Sequence, residues 1–151
     1  MNALRKFLRN LKHVLAAVTS KPSRFERLWK MKNSNPESSS RIVGRWIGEW
    51  LSNSNGHHGK LRCILNSTGP STYQALFHAR YAKFLRVCYR AELFGQKLDK
   101  GVQLQGSVDL GALAGGVYRY NGLATPTHFE CSYSCKYDQG TFCLHRPNHN
   151  L

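Results

Sequence analysis

The chain has 151 residues, of which 22 are Lys or Arg and 8 are Asp or Glu, so its formal net charge is 22 − 8 = +14. This length suits one compact domain with an appendage and leaves little room for two independent cores. A hydrophobic content of 41% excludes a wholly disordered chain. No apolar run approaches the roughly 20 residues of a membrane-spanning helix.

More than half of the excess charge lies near the N-terminus. Residues 1–41 hold ten Lys or Arg and two acids, for a net charge of +8, and the remaining 110 residues carry +6. A basic leader therefore precedes a less basic domain. Four arginines on neighbouring predicted strands form a basic stripe without the interleaved aromatic residues of a nucleic-acid platform. We therefore do not expect nucleic acid as a partner, and we expect the leader or an acidic partner to approach this stripe of Arg62, Arg80, Arg86 and Arg90.

Residues 1–32 have helical spacing. An apolar stripe with basic residues on the other side predicts an amphipathic helix that ends at Lys21-Pro22. A second short helix follows, with Phe25, Leu28 and Trp29 on one side, and residues 33–41 read as a flexible linker. The apolar stripe comprises Leu4, Phe7, Leu8, Leu11, Val14, Leu15 and Val18.

Several roles remain open for this leader. It can lie on an anionic membrane or against an acidic protein, serve as an organelle transit peptide, or cover part of the following domain. The apolar stretch Val14–Val18 is shorter than the core of a secretion signal. We therefore expect a protein that is cytoplasmic and not secreted. In one alternative it binds peripherally to a membrane. The contact residues would be Arg5, Lys6, Phe7, Arg9, Leu11 and Lys12.

From Ile42 onward the hydrophobic period changes to two. Apolar and polar residues alternate in eight segments, the first running from Ile42 to Trp50 and the fourth from Leu85 to Leu93. Short connections demand antiparallel neighbours, which close most simply into an up-and-down barrel. The sequence therefore predicts an all-β domain over residues 42–147, an eight-stranded antiparallel barrel with a tail at 148–151. A two-sheet sandwich is the alternative.

Gly44-Arg45-Trp46 on the first strand, with Arg146 at the end of the last, resembles the calycin pattern of lipocalins and their relatives. The resemblance implies a small β-barrel whose base is closed by Trp46 packed under Arg146. The chain is also similar to bacterial proteins of unassigned function that share the Gly-x-Trp-x-Gly-x-Trp and Asp-x-Gly-x-Phe patterns, which implies no activity.

The inward face of the predicted barrel is aromatic. An eight-stranded barrel is either filled by side chains or wide enough for one small ligand, and tyrosine hydroxyls in an apolar cup can orient a ligand. We therefore hypothesise a non-catalytic module that binds a small, largely apolar ligand. The alternative is a filled barrel whose N-terminal helix contacts a membrane or protein. The predicted ligand-binding residues are Trp50, Tyr73, Phe77, Tyr89, Tyr118 and Tyr133.

The remaining reactive residues do not indicate a catalytic or metal site. His57 and His58 lie in a polar turn, so we predict no metal and no cofactor, with a haem ligand from one histidine as the lesser alternative. Asp138 is assigned to the last hairpin turn. We expect free thiols because the number of cysteines is odd and no secretion signal is evident. The cysteines are Cys63, Cys88, Cys131, Cys135 and Cys143.

Overall fold

The computed structural model describes residues 22–32, 41–81, 85–112 and 115–148, which form one short helix and eight strands. The second predicted helix and all eight predicted strands are confirmed. No helix within these ranges is long and apolar enough to cross a membrane. The elements are α1 Pro22–Met31, β1 Gly44–Ser52, β2 His58–Ser67, β3 Thr72–Tyr81, β4 Leu85–Leu98, β5 Gly101–Asp109, β6 Val117–Ala124, β7 His128–Ser134 and β8 Gln139–His145.

Two strand boundaries differ from the sequence prediction. β1 begins at Gly44 rather than Ile42, because the φ of +122° at Gly44 bends the chain at the residue where pairing with β2 starts. β4 continues to Leu98 rather than Leu93 because its last residues pair with β5, as in Lys97 opposite Val102. Strand ends depend on such pairing, which alternation alone does not reveal.

The eight strands form a closed antiparallel barrel in which each strand pairs with its neighbours in sequence. The barrel closes through β1 and β8, whose register places Trp50 opposite Phe142. Closure satisfies the backbone groups that an open sheet would leave at its edges. The predicted barrel is therefore confirmed, and the sandwich is not formed.

The barrel has two different ends. The chain enters β1 and leaves β8 at one end, called the base, where the turns after β2, β4 and β6 also lie. The turns after β1, β5 and β7 lie at the opposite end, called the mouth.

Arg146 and Trp46 close the base. The guanidinium carbon of Arg146 lies 3.8 Å from the ring centroid of Trp46, which is fully buried. Arg146 also donates hydrogen bonds to the carbonyl oxygens of Arg41, Val43, Arg45 and Pro126 at 2.7–3.3 Å. The Trp46 indole donates to the Ile42 carbonyl at 3.0 Å. The Arg146 side chain thus joins the segments before and after the barrel over its largest fully buried ring.

Aromatic rings pack the middle of the barrel. The Phe77 ring centroid lies 5.2 Å from Tyr89, 5.8 Å from Tyr120 and 5.6 Å from Phe142. Phe129 joins this group to the base, because it contacts both Phe142 and Trp46. These spacings are typical of favourable ring pairs.

Helix α1 packs against the outside of the barrel. Its Phe25 and Trp29 are buried against outward-facing Ile64, Leu76 and Cys88. The Arg62 guanidinium lies 5.0 Å from the Phe25 ring centroid and forms an ion pair with Glu26. The basic stripe is therefore covered in part by the second helix of the leader.

Replacing Arg146 should destabilise the barrel. Arg146→Met removes the cation–π contact and the hydrogen bonds to four carbonyl oxygens, so we expect the free energy of unfolding to fall by about 2–4 kcal/mol. Urea denaturation followed by circular dichroism measures this value. Arg90→Met removes one exposed arginine and should change the free energy of unfolding little. Equal effects of the two substitutions would contradict the role given to Arg146.

Phe25 should hold α1 on the barrel. Phe25→Ala removes a ring that is 2% exposed, so we expect a loss of about 2–4 kcal/mol or release of the helix. Hydrogen exchange of the α1 amides distinguishes docking from release. Met31→Ala, at a side chain 71% exposed on the same helix, is the matched control. Unchanged protection of α1 in Phe25→Ala would contradict the packing described.

His78, on the outer face of β3 beneath α1, should make stability depend on pH. Burial first, and then Arg62, lower the pKa of His78 in the folded protein, with Arg86 acting in the same direction and Glu26 opposing them. The unfolded chain then binds more protons below about pH 6.5, so stability falls on acidification through that range. Urea titrations in phosphate-free buffer should show that acidification lowers the free energy of unfolding less in His78→Leu than in the unchanged protein. A larger loss in the variant would refute the assignment.

Candidate ligand-binding site

Apolar side chains that point into the barrel at the mouth are less buried than those elsewhere in the interior. Seven partly buried side chains pack against the main core among the described residues, and only Val43 of these lies at the base. The other six belong to the mouth ends of β3, β4, β5 and β7 or to adjoining turns. Together with Trp50 and Tyr118, each 9% exposed, they are called the cup. The six are Ala79, Tyr89, Val108, Leu110, Tyr133 and Cys135.

The floor of the cup is polar at one point. The Tyr120 hydroxyl donates a hydrogen bond of 3.0 Å to the Tyr89 hydroxyl, above the packed ring of Phe77. Burial raises the pKa of both hydroxyls far above the ordinary tyrosine value. Both groups therefore remain neutral donors and acceptors at physiological pH.

The rim of the cup holds a carboxylate. The Ser52 hydroxyl donates to Asp138 at 2.5 Å, and the Tyr133 hydroxyl donates to the same carboxylate at 3.2 Å. The Tyr133 ring also stacks on Tyr118 with centroids 6.4 Å apart. The Asp138 main chain makes the predicted hairpin turn, accepting a bond from the Cys135 amide. Its side chain, however, bonds to Ser52 and Tyr133 rather than to its own backbone.

The structure brings together most of the predicted ligand-binding residues. Trp50, Tyr89, Tyr118 and Tyr133 belong to the cup, and Phe77 lies beneath its floor. Trp50 is held in place by its indole nitrogen, which donates to the Arg80 carbonyl at 3.0 Å.

Tyr73 is separated from this group. It is the second residue of β3, at the base, where it packs against the Gly95 backbone. Four residues of strand separate it from Phe77, a distance of about 13 Å. Alternation places both rings on the inward face but does not give their depth.

The predicted ligand-binding set missed seven residues of the site: Val108, Leu110, Cys135, Ala79, Tyr120, Ser52 and Asp138. Val108, Leu110 and Cys135 share the inward parity of the aromatic residues, but only their position beside mouth turns marks them as partly exposed. Ser52 could not be found from its own strand, because its partner Asp138 is 86 residues away. If the strand pairing had been known as well as the alternation, Val108, Leu110 and Cys135 could have been placed at the mouth.

The other predicted contact residues lie elsewhere. His57 lies in the turn between β1 and β2, and His58 is the first residue of β2. Within the described ranges, no group of three or more His, Cys, Asp or Glu residues could hold a metal ion. The predicted membrane or partner contacts lie outside the described residues: Arg5, Lys6, Phe7, Arg9, Leu11 and Lys12.

The cysteines are free thiols, as predicted. Cys63, Cys88 and Cys131 are buried, whereas Cys143 is exposed because Phe142 and Leu144 take the inward positions of β8. Burial raises the pKa of Cys131 to about 12 and that of Cys88 to about 11. These two thiols are therefore protonated at physiological pH and weakly nucleophilic.

Comparison with known proteins adds information on the fold alone. No protein-family model and no curated protein matches the sequence. A redesigned β-barrel is similar with a TM-score of 0.55 and 14% identity, covering 74% of this chain and 100% of that one. A fluorescence-activating β-barrel designed de novo has a TM-score of 0.51 and 13% identity, covering 71% and 94%. A variant of the fluorescent protein UnaG covers 72% and 97% at 8% identity, with a TM-score of 0.41. The chain therefore shares a β-barrel fold with solved structures, and its membership of the lipocalin family stays a prediction.

Proposed function

We propose that this protein is a non-catalytic binding module that holds a small, largely apolar ligand in the cup. The observation that carries the proposal is the difference between the two ends of the barrel. Arg146 covers the base, whereas inward apolar side chains at the mouth remain partly exposed. A concave apolar surface with a few oriented polar groups is the usual form of a small-molecule site.

The chemistry of the cup suits a ligand with one polar atom. Covering its exposed apolar surface contributes about 25 cal/mol for each Å² removed from water. Tyr89 accepts the hydrogen bond from Tyr120, so its own hydroxyl hydrogen can be donated to a carbonyl or ether oxygen of the ligand. The packed ring of Phe77 limits the depth of entry and favours a small molecule over a long chain.

The alternative function depends on another part of the molecule. Contact with an anionic membrane or an acidic protein through the basic N-terminal helix involves residues 1–21, which lie outside the described residues. The membrane and protein partners and the cytoplasmic location therefore stay predictions. Under the proposal above, the barrel itself carries the function, with no cofactor and no catalytic step.

An uncharged fluorescent probe tests the proposal. N-phenyl-1-naphthylamine is suitable because its neutrality avoids attraction to a chain with a charge of +14. We expect saturable binding at one site, with enhanced probe fluorescence and quenching of Trp50. Val108→Lys places a charge in the cup and should weaken binding about tenfold or more, because burying an unpaired ammonium group is costly.

Val117→Lys is the matched control. Val117 is at the same end of the barrel and is 41% exposed on its outer face, so its replacement adds the same charge and should leave binding unchanged. Leu110→Lys, on the turn after β5, serves as a second cup variant if Val108→Lys does not fold. The proposal fails if the unchanged protein shows no saturable binding, or if the folded cup variants bind as tightly as Val117→Lys.

A further inference from the structure

A second concave surface lies on the outside of the barrel beside α1. This cavity of about 860 Å³ is formed mainly by outward residues of β1, β2, β3 and β8, with one residue each from α1 and β4. It is separated from the cup by the barrel wall. Its lining comprises Glu26, Ile47, Gly48, Glu49, Lys60, Leu61, Arg62, His78, Arg80, Arg86, Cys143 and His145.

Positive charge exceeds negative charge in this cavity. Four cations and two carboxylates line it, for a net of 4 − 2 = +2 with the histidines neutral. Both carboxylates are already engaged, Glu26 by Arg62 and Glu49 by Lys60. The excess therefore belongs to the other two cations, Arg80 and Arg86.

Arg80 and Arg86 are placed directly opposite each other. They are register partners on β3 and β4, an arrangement in which like charges on antiparallel strands destabilise the pair. Arg86 also lies close enough to Glu26 and His78 to lower the pKa of each. An anion between the two guanidinium groups would remove their repulsion.

His78 supplies an unsatisfied group in the wall of the same cavity. It is 4% exposed, and its Nε2 atom has no hydrogen-bond partner among the described residues. Its ring stacks on Phe25 of α1 at 5.1 Å, and its register partner on β2 is Arg62. Buried polar side-chain atoms are almost always hydrogen-bonded, so an unpaired one needs an explanation.

We infer that this cavity binds a phosphate group, carried either by a soluble phosphate ester or by a phospholipid headgroup. A phosphate monoester has a charge of about −1.5 to −2 near pH 7, which balances the excess of Arg80 and Arg86. Planar guanidinium groups match phosphate oxygens in pairs. The remaining oxygen can accept a hydrogen bond from Nε2–H of His78 in the matching neutral tautomer.

Calorimetric titration with glycerol 3-phosphate tests this site in the full chain. We expect saturable binding that the double variant Arg80→Gln with Arg86→Gln weakens about tenfold or more, since charged hydrogen bonds contribute more than neutral ones. Arg90→Gln with Arg119→Gln removes the same charge from two exposed arginines outside the cavity lining and should have little effect. Equal weakening by both double variants would show attraction to net charge alone and would overturn the inference.

His78→Leu separates binding from stability. Removing an unsatisfied buried nitrogen should leave the unfolding free energy equal or higher in phosphate-free buffer at pH 7.5, about one unit above the ordinary histidine pKa, while binding of the phosphate ester weakens. Wild-type affinity in this variant would refute the role of Nε2.

Vesicles identify the source of the phosphate. Phosphatidylcholine vesicles with and without phosphatidic acid are compared by flotation, using wild-type protein and both double variants. Binding of phosphatidic acid that the Arg80 and Arg86 substitutions alone reduce indicates a headgroup, and binding of glycerol 3-phosphate alone indicates a soluble ester. Absence of both overturns the inference and leaves the proposed function of the cup untouched.

Discussion

The structure depends on one arginine that holds the ends of the barrel strands together. Arg146 follows β8, yet it bonds to carbonyl oxygens before and within β1 and to the turn before β7. A barrel closes only if its first and last strands meet, and these strands are the furthest apart in the chain. Burial lowers the pKa of Arg146, but a guanidinium group keeps its charge at physiological pH. A permanent charge over the Trp46 ring therefore holds β1 and β8 together at the base.

Closing one end allows the other end to remain open. Rings from Trp46 through Phe129, Phe142 and Phe77 form a continuous packed column from the base to the middle. Inward positions at the mouth, beyond this column, stay partly exposed. The polar network of Ser52, Tyr133 and Asp138 then orders the rim through hydrogen bonds rather than dense packing. The contacts that stabilise the barrel and the proposed ligand site therefore lie at different levels of the same interior.

Much of this architecture could be predicted from the sequence because it depends on local patterns. Alternation identifies every strand, and short turns require antiparallel neighbours. Depth along the barrel could not be predicted, since it depends on the register between strands. Tyr73 and Tyr89 have the same parity, yet Tyr73 lies at the base end of its hairpin, whereas Tyr89 is opposite Phe77, four residues closer to the mouth. His78 has outward parity and would be read as solvated, but Phe25 and α1 cover it.

The barrel is closed at the base, and the proposed ligand site lies at the mouth. Amide chemical shifts in a ¹⁵N-labelled sample saturated with N-phenyl-1-naphthylamine show whether the ligand site lies at the mouth. We expect shifts around Ser52, Tyr89, Val108 and Asp138, with the amides near Trp46 and Arg146 unchanged. Shifts confined to the base, or to α1 and the outer wall beneath it, would contradict this location of the ligand site.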